Sequence, residues 1–89
     1  MTEHPGSEKD KSDFYFRRGN SYSNAGEYHK AIRDFDTVIG LCASNPYAYN
    51  NRGMAYLCSG NNKEALQDLN KAICLKSNYA DAYHNRALV

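Results

Sequence analysis

The stretch AYNNRG, Ala48–Gly53, returns near the end of the chain as AYHNRA, Ala82–Ala87. Both belong to a longer pattern, because 34 positions separate Tyr15 from Tyr49 and again Tyr49 from Tyr83. Other residues recur at the same interval: Arg18, Arg52 and Arg86; Gly19 and Gly53; Tyr22 and Tyr56; Ala31 and Ala65; Asp34 and Asp68. A fixed internal period of this length predicts a stacked array of short structural repeats.

Each repeated unit is predicted to form two helices joined by a tight turn. In unit one, residues three and four apart place the first helix at about Asp13 to Ala25, and Gly26 supplies its end. A second helix, about Glu27 to Leu41, carries its apolar residues on one stripe: Tyr28, Ala31, Ile32, Phe35, Val38 and Ile39. In unit two, Asn45 is the predicted N-cap of the next helix, and Pro46 occupies its first position.

The fold predicted from this pattern is all-α: antiparallel helix-turn-helix hairpins stacked as an α-solenoid, with two complete units and the first helix of a third. The units span residues 12–45, 46–79 and, in part, 80–89. Residues 1–11 are polar and are predicted to be a flexible N-terminal tail. A chain of 89 residues is long enough for one such domain.

Repeated small and charged residues predict how the helices meet. A glycine inside a helix costs roughly 1 kcal/mol relative to alanine, so Gly19 and Gly53 indicate a close approach. The expected neighbour is the second helix of the same hairpin, with Ala31 and Ala65 as the matching contacts. The recurring arginines are expected to form ion pairs at the helix junctions, Arg52 with Asp34 or Asp68; a ligand-binding arginine is the alternative.

The pattern Tyr15-x2-Arg18-Gly19-x2-Tyr22, followed by Ala31-x3-Phe35, resembles the tetratricopeptide repeat, a helix-turn-helix unit of 34 residues. Arginine replaces the leucine that usually precedes the glycine, tyrosine replaces the usual tryptophan, and the proline common after the second helix is absent. The resemblance implies a superhelix whose concave face is lined by the first helix of each unit. It also implies that this face holds an extended peptide or a partner helix.

The first helices are therefore expected to supply the binding groove. Its predicted residues are Phe16, Arg17, Asn20, Asn24, Tyr47, Asn50, Asn51, Met54, Asp81, His84 and Asn85. Asn51 and Asn85 are the sharpest pair, because a side-chain amide both donates and accepts hydrogen bonds and can hold a peptide backbone. Such asparagines resemble the peptide-holding ladder of a glycosyltransferase's tetratricopeptide array. The alternative is that asparagine is merely tolerated on a solvated helix face.

A narrower resemblance concerns co-chaperones that capture the acidic C-termini of cytosolic heat-shock chaperones. Their clamp uses two asparagines together with lysines and an arginine, which hold the terminal carboxylate. Asn20 and Asn51 fall on the two asparagine places. Phe16, Asp81 and Asn85 stand where the basic residues are needed, so this clamp is not expected.

Composition excludes several other classes of function. The net charge is +1 and 42% of the residues are hydrophobic, which gives no polyanion-binding signal, so nucleic acid is not an expected partner. No apolar run approaches the roughly 20 residues of a membrane span. The three cysteines show no zinc-binding spacing, and His4, His29 and His84 are not paired with a nucleophile. We expect a cytoplasmic protein–protein interaction or scaffold module that is not an enzyme and uses no cofactor or metal.

Two expectations concern the rest of the molecule. An accessory or substrate-recruiting domain of a larger enzyme is the rival to a scaffold module, with the chemistry outside these residues. At the C-terminal end, the last helix leaves apolar residues without a covering helix. Either the chain is a fragment of a longer array, or self-association through this uncapped helix covers them.

Overall fold

Five α-helices make up the part of the chain that the structure, a computed structural model, describes, residues 7–89. The helices are α1 (Glu8–Asn24), α2 (Tyr28–Leu41), α3 (Pro46–Cys58), α4 (Asn62–Leu75) and α5 (Ala80–Leu88). α1 packs on α2 and α3 packs on α4 as antiparallel hairpins, and α2 then packs on α3 and α4 on α5. This order confirms the predicted all-α solenoid of stacked hairpins. No helix within residues 7–89 has the length and apolar character needed to cross a bilayer.

The first helix begins five residues earlier than the sequence pattern predicts. Ser7 is its N-cap, and the Ser7 hydroxyl accepts a hydrogen bond of 3.0 Å from the backbone N–H of Asp10. Glu8 and Asp10 place negative charge in the first turn, where the helix dipole favours it. Residues 8–11, predicted as part of a flexible tail, are therefore helical, whereas residues 1–6 of that tail lie outside the described residues.

Glycine ends the first helix of each complete hairpin, as the sequence predicts for Gly26. Gly26 has a φ of +79° and Gly60 a φ of +89°, a left-handed conformation that other residues adopt at a cost. The backbone N–H of Glu27 donates to the carbonyl of Tyr22 at 2.8 Å, and the equivalent bond recurs at Gly60. This is the Schellman arrangement, and it turns the chain so that the second helix can pack against the first.

The two mid-helix glycines lie against the second helix of their own hairpin, as predicted. A Cβ atom built on Gly19 would lie 2.7 Å from Cε1 of Phe35, and one built on Gly53 would lie 3.0 Å from Cγ of Leu69. The side chains nearest to these positions, however, are Phe35 and Leu69 and not the predicted Ala31 and Ala65. Large side chains fill the space that the glycines leave open.

Alanines permit close packing between neighbouring units. Ala31, Ile32 and Phe35 of α2 form one buried cluster with Ala55 of α3. The second junction is closed by Ala72, Tyr79 and Ala82, which form a separate buried cluster. Because these alanines have short side chains, the helices approach closely enough to bury the aromatic rings.

Ion pairs hold the hairpins along one side of the stack. Arg18 donates from Nε and Nη2 to the two carboxylate oxygens of Asp34, both at 2.8 Å. Arg52 makes the same two-pronged contact with Asp68 at 2.7 Å, which selects Asp68 from the two predicted partners. Its remaining nitrogen, Nη1, donates to Asp36 of the preceding unit at 2.7 Å. The sequence pattern predicts only Asp34 or Asp68 as partners of Arg52, so it does not include this link between units.

Candidate functional site

The first helices of the three units, α1, α3 and α5, are joined by hydrogen bonds between asparagine side chains. Asn51 Nδ2 donates to Asn20 Oδ1 at 2.8 Å, which links α3 to α1. Asn85 Nδ2 donates to Asn50 Oδ1 at 3.0 Å, which links α5 to α3. Asn50 Nδ2 donates to Asn51 Oδ1 at 3.1 Å and closes the gap between the two links. We call this series, from Asn85 through Asn50 and Asn51 to Asn20, the asparagine chain.

The asparagine chain has hydrogen-bonding capacity left over. Each carboxamide has two N–H donors and an oxygen that accepts two hydrogen bonds. Asn20 uses only its oxygen within the chain, so both of its N–H groups remain available, and Asn51 keeps one N–H group. Asn20, Asn51 and Asn85 are partly exposed, whereas Asn50 is buried. The exposed members can therefore bind a ligand without first breaking the chain.

A depression of about 360 Å³ lies at the Asn20 end of the asparagine chain. It is lined by Asn20, Ser23, Asn24, Asn51 and Met54. Four of these side chains are neutral and polar, and Met54 adds a flexible apolar surface. The lining carries no ionisable side chain, so it favours hydrogen bonding to a neutral group such as a peptide backbone.

The structure places some predicted groove residues together at this depression, namely Asn20, Asn24, Asn51 and Met54. Asn85 joins them through the asparagine chain. Asn50 was predicted to line the groove. It is only 5% exposed, so it lies beneath the groove surface and supports the exposed asparagines. Its burial is compensated because both its nitrogen and its oxygen are hydrogen-bonded.

Other predicted groove residues lie apart from the depression. Phe16 is partly buried, with its ring centroid 6.0 Å from that of Phe35, so it belongs mainly to the core of the first hairpin. Arg17 lines a different depression, on the side of α1 that carries Phe14. Neither side chain lines the asparagine depression, and their contribution to a groove stays a prediction.

The remaining predicted residues are at the other positions of α3 and α5. Tyr47 is half-exposed and packs edge-on against Tyr79, with centroids 5.3 Å apart. Asp81 and His84 are exposed on α5 and do not line the asparagine depression. Their roles in a peptide-binding groove stay predictions.

A larger depression, of about 520 Å³, lies beside the first ion pair and is lined in part by Arg18, Lys30 and Arg33. The hydrogen bonds that Arg18 donates to Asp34 raise the pKa of the Arg18 guanidinium, which keeps this charge fixed. Asp34 and Asp36, which also line this depression, are occupied by Arg18 and Arg52 respectively. We assign this depression to the structural ion pairs, although it exceeds the asparagine depression in volume.

Metal-binding geometry is not found in the described residues. Within residues 7–89, no three histidine, cysteine or acidic side chains converge as metal ligands would. Cys42, Cys58 and Cys74 are free thiols, all exposed. The arrangement on the first helices is suited to hydrogen bonding with a partner.

Comparison with known families and structures gives a consistent result. A family model described as "Tetratricopeptide repeat" matches residues 46–79, and one described as "TPR repeat" matches residues 19–60. None of the curated protein sequences compared with the chain matches it.

Solved structures similar to this chain are tetratricopeptide domains. The second such domain of Spaghetti (RPAP3), bound to the HSP90 peptide SRMEEVD, is 30% identical, with 91% of this chain and 77% of that chain covered and a TM-score of 0.85. The second domain of human RPAP3, in complex with the HSP70 peptide SGPTIEEVD, is also 30% identical, with 90% and 67% covered and a TM-score of 0.85. The domain of Arabidopsis OM64 is 26% identical, with 92% and 68% covered and a TM-score of 0.89.

The period, the paired helices and the glycine contacts all agree with these matches. Domains of this kind are generally interaction modules without catalytic activity. On the evidence of its repeats, its fold and its similarity to these domains, the chain belongs to the tetratricopeptide repeat family.

Proposed function

We propose that the chain is a protein-interaction module that holds an extended peptide across α1 and α3 by hydrogen bonds to the peptide backbone. The observation that carries this proposal is the depression beside Asn20 and Asn51, where side-chain amides have unused donors. Similar domains whose structures hold HSP90 or HSP70 peptides support it. An extended peptide exposes C=O and N–H groups along its length, and these match the amide groups.

The proposed peptide is neutral or basic at the α5 end of the groove. The HSP90 and HSP70 peptides of the similar domains end in EEVD, which carries three carboxylate side chains in addition to its terminus. In this chain, Asp81 and Asn85 replace two expected basic residues, and Phe16 replaces a third. Asp81 is exposed and would repel an acidic peptide, because like charges raise the free energy of the complex.

The proposal is tested most cleanly at Asn20, the last member of the asparagine chain. Asn20→Ala removes both free N–H groups of this amide and only one internal hydrogen bond. Loss of one or two peptide hydrogen bonds corresponds to about 1 kcal/mol each, or roughly fivefold weaker binding per bond. Peptides selected from a random display library on the wild-type protein provide the probes, and fluorescence anisotropy measures their affinity.

The matched control is Asn62→Ala, which removes an exposed asparagine of α4 away from the groove. We expect this variant to bind the selected peptides as the wild type does. Circular dichroism should show unchanged helicity for both variants. Equal affinities for the wild type and Asn20→Ala would contradict the groove assignment.

The proposed working compartment is the cytoplasm, and the proposed role is noncatalytic. The three exposed free thiols support this compartment, because oxidising compartments favour disulfides. No observation on residues 7–89 favours the rival role as a recruiting domain of a larger enzyme, so we do not propose it.

Self-association through α5 remains a prediction. Ile32 is 8% exposed, whereas Leu66, at the same position of the next unit, is 40% exposed, and Leu88 of α5 is 55% exposed. A second copy that covers these side chains would remove apolar surface from water. Sedimentation at increasing protein concentration should show a dimer that Leu88→Lys abolishes. A monomer at every concentration would contradict the prediction.

A further inference from the structure

A further cavity, of about 420 Å³, lies where the first turn of α1 meets the start of α3. Its wall includes Ser12, Asp13, Leu41, Cys42, Pro46 and Tyr47, and we call it the junction pocket. We infer that the junction pocket binds an aromatic side chain of the peptide that the groove holds. This inference rests on the proposed function and adds a sequence preference to it.

The junction pocket exists because α1 is longer than the other first helices. α3 begins at Pro46 and α5 at Ala80, which are equivalent positions 34 residues apart, whereas α1 begins at Glu8, four residues before its equivalent position, Ser12. Glu8 and Lys9, in the additional turn, contribute to the wall of the pocket. The pocket is therefore a departure from the repeat and not a property of every unit.

The second junction supplies its own aromatic ring at the related place. Tyr79 there is only 8% exposed, and its ring packs against Tyr47. The equivalent of Tyr79 in the first junction is Asn45, and the equivalent of Tyr47 is Asp13, which lines the junction pocket. An aromatic ring is thus part of the protein at one junction, and a cavity is found at the other.

Asn45 does not occupy the cavity, because its side chain caps α3. Its Oδ1 accepts hydrogen bonds from the backbone N–H groups of Tyr47 at 2.9 Å and Ala48 at 3.2 Å. Deeper in the junction, Val38 replaces the smaller Ala72 and is fully buried. The space that remains open is lined by residues that include Leu41 and Tyr47. The side chains of Leu41, Pro46 and Tyr47 offer an aromatic ring an apolar contact surface, beside the charged residues that also line the pocket.

The junction pocket and the asparagine depression lie on the same helices. Asp13 and Asn20 are seven residues apart on α1, which corresponds to two helical turns and about 10 Å. An extended peptide covers this distance in about three residues. The inferred motif therefore has an aromatic residue about three positions from the segment whose backbone contacts Asn20 and Asn51.

Cys42 provides a direct test, because this residue lines the junction pocket and carries a free thiol. A probe disulfide is attacked by a cysteine thiolate, which forms a mixed disulfide with the protein and releases one probe thiol. The two probes are bis(2-phenylethyl) disulfide and cystamine, which deliver a phenyl ring or an ammonium group. Peptide mass spectrometry gives the extent of labelling at each cysteine, and Cys74, exposed outside the pocket, is the internal reference.

We expect the Cys42 to Cys74 labelling ratio to be at least about fivefold higher with the phenyl probe than with cystamine, a difference of about 1 kcal/mol. Asn45→Tyr introduces the counterpart of Tyr79 into the first junction. It should remove the preference of Cys42 for the phenyl probe. Tyr47→Ala, at a half-exposed position, should weaken it without unfolding the protein. Equal ratios for the two probes on the wild-type protein would overturn the inference.

Display selection then connects the pocket to the groove. Peptides selected on the wild-type protein should be enriched in Phe, Tyr or Trp at one fixed position, and Asn45→Tyr should lose that enrichment while still selecting peptides. Selected peptides without an aromatic preference would contradict this inference alone. Failure to select any peptide would contradict the proposed function and this inference together.

Discussion

Arg52 is the residue that joins two units most directly. Its side chain is 18% exposed and uses three nitrogens on two carboxylates, Asp68 in its own unit and Asp36 in the preceding one. The hydrogen bonds that Arg52 donates to Asp68 raise the pKa of the guanidinium, so the charge persists at any accessible pH. The ring of Tyr49 lies 5.6 Å from the same guanidinium and adds a cation–π contact.

We predict that Arg52→Met lowers the free energy of unfolding by about 3 kcal/mol, because it leaves the buried carboxylate of Asp68 without its partner. Arg86→Met, at the equivalent position of unit three, is the matched control. Arg86 donates only to the exposed Asn70, so its loss should cost less than about 1 kcal/mol. Urea unfolding followed by circular dichroism measures the free energy of unfolding of both variants. Equal losses of stability would show that the ion pairs of Arg52 contribute little.

The asparagines show why residue identity alone left two interpretations open. The sequence allows Asn51 and Asn85 to be either peptide contacts or tolerated surface residues. In the structure they first bind other asparagines, 31 and 35 positions away in sequence, and some of their groups remain free. Neither interpretation includes these internal bonds, because they depend on side-chain rotamers that no periodic pattern specifies.

At the scale of the helices, glycine sets the distance between the two members of a hairpin. The ring of Phe35 is fully buried and lies where a side chain at Gly19 would be. Gly40 is also inside a helix, but a Cβ there would have open space and its φ is not positive. Both glycines are therefore helical, but a side chain at Gly19 would meet Phe35, whereas one at Gly40 would meet no neighbour.

We predict opposite effects of alanine at these two positions. Gly19→Ala should lower the free energy of unfolding by about 1–3 kcal/mol, because the added methyl group forces α1 and α2 apart. Gly40→Ala should raise it by up to about 1 kcal/mol, since alanine loses less conformational freedom in a helix. Thermal melting of both variants gives the sign, and stabilisation by Gly19→Ala would contradict the tight contact.

Most helix boundaries follow from local signals in the sequence. Asn45 and Pro46 mark the start of α3, and Gly26 marks the end of the first hairpin's first helix, as predicted. The start of α1 was missed because its first turn has no apolar periodicity. A signal was present in the spacing of Ser7 and Asp10, which matches a capping pattern.

The site was less predictable than the helices because it depends on differences between units. Repetition predicts what the units share, such as the glycine contacts and the arginine pairs. The junction pocket arises where they differ, at the additional turn of α1 and at Asn45 in place of Tyr79. Such differences between units indicate a cavity only when the packing of both junctions is known.

For the whole molecule, the two sets of polar contacts have different consequences. The asparagine chain and the ion pair between Arg52 and Asp36 both join one unit to the next. Neighbouring units are therefore held together by two separate sets of polar contacts. The asparagine chain is neutral and partly exposed, which leaves a surface for a partner. The charge of Arg52 is balanced within the protein, since it is paired with the carboxylates of Asp36 and Asp68.

The charge of the groove predicts which peptides the whole array rejects. We expect the wild-type protein to bind the HSP90 peptide SRMEEVD weakly, because Asp81 adds negative charge where a basic residue would be needed. The double variant Asp81→Lys with Asn85→Arg should bind it more tightly, by up to about 30-fold, since each of two added ion pairs near the surface contributes up to about 1 kcal/mol. Isothermal titration calorimetry at low and high salt measures the gain.

The salt dependence and the peptide control separate charge from shape. The gain should shrink as salt rises, because screening weakens contacts between exposed charges. A peptide with glutamines in place of both glutamates should gain less, since it lacks two of the carboxylates that attract the new lysine and arginine. Tight binding of SRMEEVD by the wild-type protein would instead mean that asparagine amides alone hold an acidic peptide. The groove would then be selective through the backbone contacts of Asn20 and Asn51, and the exposed charge of Asp81 would have no influence on the choice of partner.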